Sequence, residues 1–241
     1  MWLNAVIDLP RERFDEAGEF WVRVTRTTRG DVHPEHDEFV HLNPPAGDMH
    51  LELQRIEAGP ATVHLDLVVR DIPTATRRAV AAGARVIADP GHVVLRTPGG
   101  VPFCIVPHTD EAVRAPLLDP DRPHAVDQIC LDVPHEHFEA DVAFWSALTG
   151  WPVNPEVLAE FRSFDQPEHL PLRLLVQRLG ADDTGGARAH LDVSSGNHVG
   201  ELTKIHVANG ATIDEQFEHW TALRDPAGMP YCLTSRPPEK G

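Results

Sequence analysis

The stretch Thr62-Val63-His64-Leu65-Asp66-Leu67-Val68-Val69 decides the fold. Polar and apolar residues alternate along it at a period of two, the signature of a strand buried on one face. Leu65 and Leu67 then share the packed face, while His64 and Asp66 share the other. The pattern returns downstream as Arg188-Ala189-His190-Leu191-Asp192-Val193. An imidazole and a carboxylate two residues apart are commonplace on one strand, but their return in a matched setting points to a duplicated site.

Outward from these strands six further blocks match in the same order, making seven with the strands themselves. Asn4-Ala5-Val6-Ile7-Asp8-Leu9-Pro10 answers Gln128-Ile129-Cys130-Leu131-Asp132-Val133-Pro134, and the run from Phe14 to Thr25, with Phe20-Trp21, answers Phe138 to Thr149, with Phe144-Trp145. Leu53-Gln54-Arg55-Ile56 answers Val176-Gln177-Arg178-Leu179, and Gly83-Ala84 answers Gly210-Ala211. Leu95-Arg96-Thr97-Pro98 answers Leu223-Arg224-Asp225-Pro226, and Gly100-Val101-Pro102-Phe103-Cys104 answers Gly228-Met229-Pro230-Tyr231-Cys232. Order and near-constant offset make the chain a tandem duplication. We expect one domain over residues 1–108, a proline-rich extended linker over 109–123 and a second domain over 124–236. The tail from Arg236 onward is expected to fray.

Each copy is itself bipartite. In the first, a strand near 3–9 leads to a helix near 13–24, in which Phe14, Ala17, Phe20, Trp21 and Val24 fall at helical spacing. Strands near 38–42 and 49–56 follow. After Gly59-Pro60 the order restarts with strand 61–69 and a helix near 73–82 ended by Gly83, then strands near 85–88, 92–96 and 102–106. The expected fold is therefore α+β: a βαβββ module written twice per domain and four times in the chain. The stretch from Thr25 to Pro45, with its prolines and three histidines, is where the strands are hardest to place.

Composition narrows the function. No run reaches the roughly 18 apolar residues of a membrane span, and the N-terminus lacks the basic start and apolar core of a signal peptide. Three scattered cysteines do not make a disulfide framework, which fits a reducing compartment, so we expect a cytoplasmic protein. The net charge of −16, spread along the chain, argues against nucleic acid and anionic membranes as partners. An anionic ligand would have to be met locally, by Arg55 or Arg178.

Parity assigns the polar faces. Leu51 and Leu53 leave His50, Glu52 and Gln54 on the polar side, and Phe103 and Ile105 leave Cys104 there with His64, Asp66 and Asn4. In the second copy the set is Gln128, Cys130, Asp132, Arg173, Leu175, Gln177, His190, Asp192 and Cys232.

The paired βαβββ modules, the Phe-Trp of each first helix, the Leu-Gln-Arg and His-Leu-Asp strands and the Asp-Pro-x-Gly-x-x-Tyr-Cys ending resemble the glyoxalase-like branch of the glyoxalase/bleomycin resistance/dioxygenase superfamily, the vicinal oxygen chelate proteins. The resemblance covers about residues 1–108 and 124–235 and is carried by order rather than by one motif. It implies curved mixed sheets with helices outside, enclosing a cleft for a small organic molecule. It also implies a place for a metal, at Asn4, Glu52, His64 and Cys104 in the first domain and at Gln128, Leu175, His190 and Cys232 in the second.

Only Glu52 with His64, and Gln128 with His190, match the ligand types the family uses, and the hydrocarbon of Leu175 cannot coordinate. We therefore expect a binding protein without a complete metal site, whose ligand meets Asn4, Gln54, Asp66, Cys104, Gln128, Gln177, His190 and Asp192. The alternative is an enzyme of the lyase, isomerase or dioxygenase type, in which Glu52 and His64 act as an acid/base pair or hold a divalent Zn, Ni, Fe or Mn ion. A monomer or homodimer suits either reading. His33, His36 and His41 read as a polar loop, His135-Glu136-His137 as helix capping, and Cys104 and Cys232 as small core residues with no adjacent histidine to activate them.

Overall fold

A computed structural model of the chain describes residues 1–31, 36–89, 91–107, 112–117, 119–155 and 158–238. The first half contains β1 (Trp2–Pro10), α1 (Phe14–Thr25), β2 (Thr28–Arg29), β3 (Phe39–Asn43) and β4 (Leu51–Ile56), then β5 (Thr62–Val69), α2 (Ile72–Ala81), β6 (Arg85–Ala88), β7 (Val93–Arg96) and β8 (Pro102–Pro107). The second half repeats it with β9 (Ala125–Val133), α3 (Phe138–Thr149), β10 (Phe161–Ser163) and β11 (Arg173–Arg178), then β12 (Arg188–Ser194), α4 (Val199–Ala208), β13 (Thr212–Gln216), β14 (Trp220–Arg224) and β15 (Pro230–Thr234). Among the described residues, the third module has two strands after its helix rather than three, and an isolated bridge between Val153 and Phe164 stands beside them.

The strand orders are β2-β3-β4-β1-β5-β8-β7-β6 and β10-β11-β9-β12-β15-β14-β13, so each half builds one open sheet and the fold is α+β as expected. Strands β5 and β8 run parallel with Asp66 opposite Cys104, and β12 and β15 run parallel with Asp192 opposite Cys232. The helices start and stop where local chemistry dictates. The Asp71 carboxylate accepts from the Thr74 amide at 2.9 Å, Pro73 sits in the first turn of α2, and Gly83 leaves it at φ 112°.

Packing cuts across the two halves. One compact unit comprises Met1–Asn4, His64–Glu111 and Ile129–Ala189, and the other Ala5–Val63, Ala112–Gln128 and His190–Gly241. The second module of the first half thus packs with the first module of the second half, and the remaining two modules pack together. The duplicated aromatics form the two cores. In the first unit Phe103 lies 5.2 Å from Trp145 and 5.7 Å from Phe144. In the second, Tyr231, which aligns with Phe103, lies 5.2 Å from Trp21 and 6.0 Å from Phe20. All six rings are at most 1% exposed, so the Phe-Trp pairs form core faces. Edge-to-face geometry of this kind adds to the area they bury.

The linker and the tail are more firmly held than their composition suggests. Residues 112–117 have no regular structure, yet Val113 and Asp48 exchange hydrogen bonds at 2.7 and 2.6 Å. The expected fraying from Arg236 does not occur at its start. The Arg236 guanidinium forms a two-pronged pair with Asp127, which is 2% exposed, and its carbonyl accepts from Ser195 and Gly196. His135, Glu136 and His137 are exposed in a 3-10 turn before α3, but no side chain caps that turn among the described residues.

Candidate functional site

Strands β5 and β8 build a polar group in the first unit. Because Asp66 stands opposite Cys104 and His64 shares their face, one ligand atom from each of His64, Asp66 and Cys104 lies within 4.8 Å of the others. The repeat holds in the second unit, where His190, Asp192 and Cys232 meet within the same limit. His64 Nε2 stands 3.4 Å from Asp66 Oδ1, and His190 Nε2 stands 3.5 Å from Asp192 Oδ1, both longer than a well-formed hydrogen bond. The imidazoles are neither sealed nor free, with side chains 15% and 14% exposed.

The expectation that no histidine adjoins the two cysteines is corrected here. Cys104 interacts with His64 through a side-chain hydrogen bond, and the parallel pairing that creates the contact leaves no trace in local sequence. Burial pushes the Cys104 thiol up, Asp66 adds to the rise, and His64 opposes it. The thiol therefore stays protonated at neutral pH.

The amides of the two copies differ. Gln128 donates from Nε2 to Asp192 Oδ2. Asn4 and Asp66, which align with them, are 8% and 7% exposed, and the Oδ1 atom of each finds no hydrogen-bond partner among the described residues. Gln177 lies 3.6 Å from the Cys130 thiol through its Oε1, and Gln54 is half-buried on β4.

Glu52 takes a different partner from the one expected. It belongs to the second unit, His64 to the first, and Glu52 Oε1 lies 2.9 Å from His41 Nε2. His41 is not in a loop but on β3, directly opposite Glu52 in the antiparallel register. Its neighbours Val40 and Leu42 are buried while it is exposed, a period-two signal that the surrounding prolines obscure. The bond to Glu52 raises the His41 pKa. Two of the histidine-rich loop residues, His33 and Glu35, lie outside the described residues. The arginines proposed to meet an anion are already engaged, Arg55 with Asp37 at 3.1 Å and Arg178 with Glu139 at 2.5 Å.

The sequence matches the family described as Glyoxalase-like domain over residues 4–106 and again over 128–234. It has no match among curated proteins. Among solved structures, the chain is similar to a 2,2',3-trihydroxybiphenyl 1,2-dioxygenase from dibenzofuran-degrading Sphingomonas wittichii at 10% identity and a TM-score of 0.63, covering 96% of this chain and 88% of that one. It is similar to a Mn(II)-bound glyoxalase from Novosphingobium aromaticivorans at 14% identity and a TM-score of 0.63, covering 95% and 80% of the two chains. A 2,3-dioxygenase from Pseudomonas sp. KL28 gives 12% identity and a TM-score of 0.63, with 96% and 90% covered. At these identities the likeness is one of fold.

The four metal positions that the family resemblance implies do not carry a fitting set of side chains. Asn4 offers a neutral amide, Glu52 is bonded to His41, and half-buried Leu175 puts hydrocarbon at the matching place in the second half. What fits a metal better is the imidazole, carboxylate and thiol of His64, Asp66 and Cys104, a donor set suited to zinc.

Proposed function

Because the chain belongs to the glyoxalase-like domain family, we propose that it binds a small organic ligand in a cleft on the polar face of β5 and β8, without a complete four-ligand metal centre. The supporting observation is the convergence of His64, Asp66 and Cys104 on one partly accessible face, repeated at His190, Asp192 and Cys232. Such a mixture of a few oriented polar groups over an apolar sheet is what small-molecule sites use. Asn4 extends the group in the first unit, and Gln128 the one in the second. We keep the domain limits at 1–108 and 124–236, with 109–123 between them, and place a monomer or homodimer in the cytoplasm with no nucleic-acid or membrane partner. No helix among the described residues is long and apolar enough to cross a membrane.

The second reading is a metal-dependent enzyme of the lyase, isomerase or dioxygenase type. The 3.4 Å between His64 Nε2 and Asp66 Oδ1 favours it, because ligands about 2.0–2.2 Å from a tetrahedral zinc ion stand about 3.4 Å apart. His64, Asp66 and Cys104 would hold the ion, which would polarise a ligand oxygen as a Lewis acid. Glu52 is held by His41 at 2.9 Å and would have to give up that bond before serving as a base.

Metal analysis of untagged protein, run beside thermal shifts with small aromatic ligands, separates the two. Metal-free protein whose melting temperature rises with such ligands carries the binding reading. Stoichiometric Zn, Ni, Fe or Mn that disappears in both His64→Ala and Asp66→Ala replaces it with the enzyme.

A further inference from the structure

The two polar groups are copies with one difference, and the difference selects a ligand. In the second unit the amide N–H of Gln128 reaches Asp192 and satisfies it. In the first unit the side chain at the matching place, Asn4, is one methylene shorter. Asn4 Oδ1 and Asp66 Oδ1 are both buried acceptors that no well-formed hydrogen bond satisfies among the described residues, with His64 Nε2 3.4 Å from Asp66 Oδ1. Strand β1 neighbours β5 in its sheet as β9 neighbours β12 in the other, and Asn4 holds the place on β1 that Gln128 holds on β9. Buried polar atoms are nearly always paired, and each exception calls for an explanation.

We propose that the first unit's group of Asn4, Asp66, His64 and Cys104 receives the ammonium, or an equivalent N–H-donating group, of a small organic ligand, and that Gln128 occupies the same place in the second unit. The inference rests on the small-ligand reading above and specifies the chemistry of the ligand. An N–H donor fits because an N–H donor is what fills the copy. Two buried oxygens that lack a well-formed hydrogen bond and a chain of net charge −16 reject an anion, and Arg55 and Arg178 are committed to Asp37 and Glu139. One binding event per chain follows, since the second site is closed by its own side chain.

Calorimetry and thermal shift with benzylammonium, benzyl alcohol and benzoate, all in EDTA, test the proposal, with a zinc chloride arm run without chelator. We expect wild type to bind one benzylammonium per chain at least tenfold tighter than benzyl alcohol, with benzoate weakest. Asn4→Gln copies the second unit into the first: it should raise the melting temperature of ligand-free protein and weaken benzylammonium binding at least tenfold. Gln128→Asn does the reverse and should raise the stoichiometry from one to two, which keeps the proposal testable if Asn4→Gln folds poorly. Equal affinity for benzylammonium and benzyl alcohol, with no effect of either variant, overturns the inference and leaves the small-ligand reading standing. A response to zinc with none to benzylammonium overturns it in favour of a metal site. Binding of none of the three organic probes sinks both the inference and the reading beneath it.

Discussion

The indole N–H of Trp21 donates to Oδ2 of Asp225 at 2.9 Å, and Oδ1 of the same carboxylate accepts from the amides of Ala227 and Met229. One buried carboxylate, 3% exposed, thus ties a helix to a turn. The duplicate solves the same problem with the carboxylate moved. Thr97 stands where Asp225 stands, and Trp145, the counterpart of Trp21, has an indole N–H without a partner among the described residues. The carboxylate comes instead from Asp141 on α3, where α1 has Ala17, and it accepts from the Thr97 hydroxyl and the Gly99 amide, both at 2.6 Å. Gly99 is required there, because a Cβ would come within 2.8 Å of Val133 and 2.9 Å of Asp141.

The exchange predicts a coupled pair of mutations. Asp141→Ala should destabilise the chain by on the order of 2–3 kcal/mol, because it strands two donors in the interior. Adding Thr97→Asp should recover a substantial part of that loss by recreating the arrangement of the other unit and satisfying Trp145. A double-mutant cycle in urea measures the coupling. Strict additivity of the two losses would show that position 97 cannot take over from position 141.

A second prediction concerns the tail. Arg236 neutralises Asp127, a buried carboxylate that also accepts from the Ser194 hydroxyl at 2.8 Å. Removing one member of a buried pair leaves an uncompensated charge and costs on the order of 3–5 kcal/mol. We expect Arg236→Ala, or removal of 236–241, to lower the melting temperature by several degrees, and Asp127→Asn in the Arg236→Ala background to restore part of it. A tail that can be cut without thermal effect would mean the pair is formed too rarely to matter.

These contacts mark where reading the sequence stops. Period-two and period-3.6 patterns sufficed for most elements, because each reflects a burial face set by nearest neighbours along the chain. They also put His64, Asp66 and Cys104 on one face. The contact of Cys104 with His64 depends on β5 pairing with β8, and the pairing of His41 with Glu52 on the register of β3 against β4. Neither register is a local property. The packing of modules from different halves is equally invisible, since a duplication makes every module equally similar to its partner's neighbours. Arg236 sits in a proline-flanked, polar tail whose composition signals fraying; only the buried Asp127 makes it part of the fold.

Buried histidines predict how stability changes with acid. His206 is 1% exposed, its Nδ1 bonds the Tyr231 hydroxyl at 2.9 Å, and burial, reinforced by His124, holds its pKa down to about 3. An unfolded histidine protonates near 6.5. Between those values the unfolded chain binds a proton the folded chain refuses, so stability is intact above about pH 6.5 and falls as the pH drops toward 3. His50, its pKa also lowered by burial, acts with the same sign. Asp141 and Asp225, raised by burial, act oppositely and return part of the loss as pH falls through their folded pKa values. We expect a net loss on the order of a few kcal/mol between pH 7 and 4.5 in urea titrations. His206→Gln should flatten the curve, and an unchanged slope in that variant would assign the acid sensitivity elsewhere.

The ion pair of His41 with Glu52 bears directly on whether Glu52 is free to act as a base. The hydrogen bond to Glu52 raises the His41 pKa, so the imidazolium persists above pH 6.5 and the carboxylate is held by it at 2.9 Å. By linkage, the stabilisation is complete below pH 6.5 and is lost as pH rises through the folded value. With the imidazole side chain 52% exposed, the effect on global stability is small, so the site itself must be read. An NMR titration of the His41 ring should give a pKa above 6.5 in wild type that falls in Glu52→Gln. If the titration is the same in both proteins, the contact does not persist in solution and Glu52 is available to a ligand. If it falls as expected, any ligand that uses Glu52 must displace His41, and its binding should then weaken as the pH drops and the imidazolium forms.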